Sequence, residues 1–69
     1  MVEIGQLCKI ELDKKTVYKI IYVNTKKNNY IIDEVQTITV KTFVDVEEVG
    51  NSINKKSNIP IYNIHIIKE

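Results

Sequence analysis

The side chains able to do chemistry are few. His65 is the only histidine and Cys8 the only cysteine, so one chain holds neither a His-based metal pair nor an imidazole relay. A Cys8–His65 nucleophile–base pair requires the two to meet in the fold. Cys8 falls on the apolar parity of its segment and reads as a small buried hydrophobe, whereas His65 reads as a surface or edge-strand residue. Ser52 and Ser57 have no acid–histidine partners, and two glycines are too few for a phosphate-cradling loop. Asp45, Glu47 and Glu48 read as a solvated strand end rather than as cation ligands. The sequence predicts no enzyme, no metal and no cofactor.

Binding chemistry is better supplied. Phosphates need ammonium groups and bases need exposed aromatic faces. Lys14, Lys15, Lys26, Lys27, Lys55 and Lys56 provide the first and Tyr30 the second, provided the Lys-rich turns gather at one end of the fold. Tyr18 and Tyr22 alternate with Ile20 and read as core. Arg, the bidentate reader of phosphates and bases, is absent. Surplus hydrophobicity points to a protein partner instead. Val17, Ile21, Val23, Phe43 and Ile67 fall on the strand faces that a single small core does not absorb, and a second copy of the chain or a foreign protein would cover them.

These side chains must be carried by strands. The chain has 13 Ile, 8 Val and 5 Thr, with no Ala and two Leu, and branching at Cβ favours a pleated sheet over a helix. Period-two alternation marks a first strand over residues 6–12 (Cys8, Ile10, Leu12 on one face) and a second over 16–25. Lys26-Lys27-Asn28-Asn29 reads as a turn. A third strand covers 29–35 and a fourth the alternation Ile38, Val40, Thr42, Val44, Val46. Residues 51–58 read as a polar connection with a short helical turn near 51–56. Pro60 then suits the start of a last strand over 61–67. The expected core is Ile10, Ile20, Val40, Val44 and Ile64, so that Val40→Asp should prevent folding.

Charge is balanced overall, at +1, and no net field draws the chain toward nucleic acid or an anionic membrane. It is uneven locally: residues 9–30 are lysine-rich and residues 31–50 acid-rich. Solvated strand faces account for this, and two opposed patches able to orient a partner are the functional alternative. No apolar run approaches the roughly 20 residues of a membrane span. Residues 1–5 lack a signal-peptide pattern, and a lone cysteine forms no internal disulfide; a cytoplasmic protein is expected. Many Ile, Lys and Asn without Arg or Ala suggest an AT-rich genome, as in Gram-positive bacteria, their phages and mobile elements.

Five short antiparallel strands with an early glycine give an all-β expectation: a small five-stranded antiparallel barrel or half-open sheet, in one domain. The segments Ile4-Gly5-Gln6-Leu7-Cys8-Lys9-Ile10, Val17-Tyr18-Lys19-Ile20-Ile21-Tyr22-Val23, Asn29-Tyr30-Ile31-Ile32 and Glu47-Glu48-Val49 follow an order that resembles the small SH3-like barrels of bacterial proteins, the KOW- and Tudor-type domains. That resemblance covers the whole chain and implies a binding module. The expected function is a non-enzymatic protein-binding adaptor or inhibitor, self-associating as a homodimer at micromolar concentration. Nucleic-acid or nucleotide binding through the lysines and Tyr30 is the alternative.

Overall fold

The computed structural model describes residues 2–68. Five antiparallel strands form one sheet: β1 (Leu7–Ile10), β2 (Asp13–Ile32), β3 (Val35–Glu48), β4 (Asn51–Pro60) and β5 (Ile64–Ile66), with a 3-10 turn at Ile61–Asn63. Their order across the sheet is β4-β3-β2-β1-β5. β4 and β5 are therefore opposite edges, and the sheet is the open form of the expected architecture rather than a closed barrel.

The core occupies one end. Cys8, Ile10, Tyr18, Ile20, Val44, Val46 and Ile64 are buried, with Val2, Val23, Ile59 and Ile66 packed against them. The buried Tyr18 keeps its hydroxyl satisfied by donating to Asp13 Oδ2 at 3.4 Å. Ile10, Ile20, Val44 and Ile64 lie where the alternation put them. Val40 does not: it is 54% exposed, because the core ends before β3 reaches it, so Val40→Asp is no longer expected to prevent folding.

The strand boundaries differ from the sequence reading in an instructive way. Lys26-Lys27-Asn28-Asn29 is no turn, and the expected second and third strands are one, β2. Its register with β3 runs unbroken from Tyr22↔Asp45 to Ile32↔Val35. The chain reverses at Asp33-Glu34, with φ of 49° and 64°, the left-handed pair that a two-residue hairpin requires. Asn tolerates such a conformation without imposing it, and reversal at 33–34 lets Ile32 pair with Val35.

A bulge in β2 corrects a second expectation. Ile20 faces Val46 and Tyr22 faces Asp45, leaving Ile21 as an extra residue. The face of every following side chain is inverted. Tyr22 turns outward, 54% exposed, and Val23 packs on the core. Leu12, expected on the apolar face, sits in the two-residue reversal before Asp13 and is exposed.

Residues 51–60 pair with β3 as a strand, not as a connection with a helical turn. A ladder is made by backbone groups and needs no apolar alternation at a sheet edge. Val49-Gly50 makes the reversal, with Gly50 at φ 85°. Asn54 Nδ2 then donates to Glu48 Oε1 at 2.9 Å and the Asn58 N–H to Asp45 Oδ1 at 2.9 Å, holding an irregular edge in place. The last strand is shorter than the expected 61–67, because the 3-10 turn occupies its first three residues.

Candidate interaction surface

The sheet does not support β2 and β3 along their full length. On the β2 side, β1 ends its pairing near Ile20, where the Gly5 N–H donates to Ile20 O at 2.8 Å and the Ile20 N–H to Gln6 O at 2.9 Å. On the β3 side, β4 ends at Pro60, opposite Phe43. Pro60 has no N–H to continue the ladder, and the 3-10 turn leads the chain away. Residues 22–32 and 35–42 therefore project as a two-stranded ribbon, roughly 30 Å long at a strand rise of about 3.3 Å per residue. It stretches the molecule to 50 × 23 × 20 Å.

The two faces of this ribbon differ. The face continuous with the core carries Ile31, Ile38 and Val40, which are 80%, 59% and 54% exposed. Thr25 and Thr42 stand nearer the body on the same face, their hydroxyls 3.4 Å apart. The other face carries Tyr22, Lys26 and Tyr30 from β2 beside Lys41 and Phe43 from β3. Lys26 and Lys41 occupy directly opposed register positions, and Lys26 Nζ lies 5.0 Å from the Phe43 ring centroid, a cation–π distance.

The two free edges differ as well. In a two-residue hairpin the flanking residues, here Ile32 and Val35, exchange both backbone hydrogen bonds. Alternation from that pair directs the N–H and C=O of Lys27, Asn29 and Ile31 to the β2 edge, and those of Gln36, Ile38 and Val40 to the β3 edge. The β2 edge carries Lys26-Lys27-Asn28-Asn29, polar residues of the kind that discourage strand addition. The β3 edge between Val35 and Val40 is uncharged and largely β-branched. At its foot, Thr39–Phe43 and Pro60–Tyr62 line a groove.

The remaining candidate residues are dispersed. Lys14 and Lys15 start β2, about 40 Å along the strand from Lys26 and Lys27, and Lys55 and Lys56 sit on β4 opposite Glu47 and Val46. The lysines thus do not form one cluster around Tyr30; only Lys26 and Lys27 share its strand segment. The lysine-rich and acid-rich segments largely form adjacent strands, and Lys19, Glu47 and Lys55 lie in one row across β2, β3 and β4. Val17, Ile21, Val23, Phe43 and Ile67 are all half-buried. Of the exposed apolar residues, Ile31, Ile32, Val35, Ile38 and Val40 gather on the ribbon. The available signal was Asp33-Glu34 between Ile31-Ile32 and Val35, read as a two-residue reversal.

Polar chemistry gathers at the opposite end. His65 Nε2 lies 2.5 Å from Glu11 Oε2, and Lys14 Nζ is 3.5 Å from Glu11 Oε1. The His65 hydrogen bond, followed by the Lys14 charge, holds the Glu11 carboxyl below its ordinary value. Cys8 pairs with Ile66 while His65 pairs with Lys9, so Cys8 and His65 point to opposite faces of the sheet and form no dyad. Burial pushes the Cys8 thiol up, away from the reactive thiolate. Among the described residues no group of three or more His, Cys, Asp and Glu side chains converges as metal ligands do, and no helix is long and apolar enough to cross a membrane.

Comparison with family models, with curated proteins and with solved structures finds no match for this chain.

Proposed function

We propose that the protein is a non-enzymatic protein-binding module that takes an extended segment of its partner onto the free edge of β3. The observation that carries this reading is the unpaired, uncharged β3 edge over residues 35–40, with Ile38 and Val40 exposed beside it. Strand addition uses main-chain hydrogen bonds for affinity and alternate side-chain contacts for selectivity. The groove formed by Thr39–Phe43 and Pro60–Tyr62 supplies the second of these. Selection from a displayed library of random peptides tests it. β-branched, apolar sequences should be enriched, and their binding should be lost in Ile38→Pro, which removes an outward N–H and no N–H of the β2–β3 ladder. Failure to enrich any peptide, or binding indifferent to that substitution, rejects the reading.

A second reading rests on the opposite face. Tyr22, Lys26 and Tyr30 repeat along β2 at about 13 Å intervals, with Lys41 and Phe43 beside them, an aromatic and basic row suited to single-stranded nucleic acid. Against it, Asp33 and Glu34 place two carboxylates at the ribbon tip. Titration with an oligonucleotide at increasing salt tests this reading. Binding should weaken with a log–log slope of about −0.7 per phosphate neutralised, and absence of binding at low salt removes it.

A further inference from the structure

The charges of the ribbon are unmatched within the chain and complementary to themselves. At the tip stand Asp33 and Glu34; toward the base Lys26 and Lys41 face each other across the two strands. The ion pairs among the described residues belong to Glu11, with Lys14 and His65, so none of these four charges has a salt-bridge partner. Both acids stand beyond Val35, which is itself about 20 Å of extended strand from Lys41, too far for them to meet in one chain. An antiparallel strand laid on the β3 edge reverses that direction and brings a tip to a base.

The geometry points to a second copy of this chain as the occupant of the β3 edge, with the two β3 strands paired antiparallel about a two-fold axis at Thr37. This rests on the proposed use of that edge for strand addition and names the partner. In this register Gln36 of each copy exchanges both backbone hydrogen bonds with Ile38 of the other, as the outward direction of those groups requires. Thr37 faces its own equivalent in a close, non-hydrogen-bonded pair. Val35 of each copy falls opposite Thr39 of the other. The Asp33-Glu34 reversal, with Glu34 on the β3 side, therefore comes level with Val40 and Lys41 of the other copy, and acid meets lysine twice by symmetry. The overlap stops at Lys41, short of Phe43, where Pro60 already occupies the edge. The two ribbons become a four-stranded sheet in which Ile38 of one copy is the diagonal neighbour of Ile38 in the other. An isologous interface demands this kind of self-complementarity, and a foreign strand would have to supply the same acids at the same spacing.

Light scattering on the full chain should give twice 8.0 kDa at micromolar concentration, and a mass near 8.0 kDa throughout that range overturns the inference. Lys41→Glu should raise the dimer dissociation constant about tenfold or more, and combining it with Glu34→Lys should recover most of the loss. Ile38→Pro should also weaken the dimer; should it fail to fold, the charge exchange stands by itself. Oxidised Thr37→Cys should cross-link rapidly, whereas Val35→Cys, whose equivalents stand apart in this register, should not; the buried Cys8 stays out of the reaction. A dimer indifferent to Lys41→Glu and equally cross-linked by both cysteines overturns the proposed register. A monomer that still takes peptides on this edge overturns self-pairing alone, whereas a monomer that takes none overturns the docking reading with it.

Discussion

Val40 and Val44 lie on the same face of β3, about 13 Å apart along the strand, yet Val44 is 1% exposed and Val40 is 54% exposed. Between them β4 ends and the core stops. Val44→Asp should abolish folding, because a carboxylate without a partner in that core costs several kcal/mol, of the order of the whole stability of so small a domain. Val40→Asp should change the unfolding free energy by no more than about 0.5 kcal/mol. Urea denaturation of the two variants at low protein concentration checks the contrast, and similar losses in both would place Val40 in a core.

That pair also shows what was legible in the sequence. Parity is local, and the alternation Ile38, Val40, Thr42, Val44, Val46 gives the shared face correctly. Where a face stops being covered depends on the lengths of neighbouring strands, and β4 carries no apolar alternation that would announce it. The bulge at Ile21 is equally silent: Ile20-Ile21-Tyr22-Val23 reads as a smooth strand, and one extra residue exchanges the roles of Tyr22 and Val23. The all-β class and most of the core needed only composition and period, whereas the strand count of five agrees only because two expected strands are one, β2, and β4 replaces an expected connection. The free ribbon needed the true position of one turn, and Lys26-Lys27-Asn28-Asn29 has a stronger turn composition than Asp33-Glu34.

The reversal at Asp33-Glu34 is locally strained. Glu34, at φ 64°, pays a steric penalty that Gly does not, of about 1 kcal/mol. Glu34→Gly should therefore stabilise the ribbon, read as slower amide exchange at Tyr30 and Thr37, which flank the turn. Global unfolding should move less, since the ribbon opens before the core does. Faster exchange in Glu34→Gly would mean that the glutamate side chain supports the turn.

Acid should loosen the end of the molecule opposite the ribbon. Glu11 is held below its ordinary 4.5 by the His65 hydrogen bond and then by Lys14. Asp13 is held below 3.8, chiefly by the Thr16 side chain, with the Lys15 and Thr16 backbone N–H groups and Tyr18 adding to it against partial desolvation. Both carboxyls are more acidic folded than unfolded, so their contribution is present above those ordinary values and is lost as pH falls through the depressed ones. Thermal midpoints should drop below about pH 4, with a shallower acid limb in Glu11→Gln and Asp13→Asn. Glu11 is exposed and Asp13 only half-buried, so the effect is modest. An acid limb equally steep in both variants would assign the loss to other carboxylates.

Amide exchange should resolve the ribbon from the body residue by residue. A two-stranded hairpin by itself is marginal in water, and beyond Tyr22 and Thr42 no strand of the described residues pairs with either edge. In dilute protein, the amides of Lys26, Asn28 and Tyr30, which point into the β2–β3 ladder, should exchange through local opening, far faster than those of Val44 and Val46 in the core. The Ile38 amide points outward and should exchange faster still. Raising the protein concentration should slow Ile38 most, because in the paired form that amide gains a partner. The amides of Lys27 and Asn29 point to the β2 edge and should gain less. Protection at Ile38 that is already high in dilute protein and does not change with concentration would show that the β3 edge is covered within the chain itself.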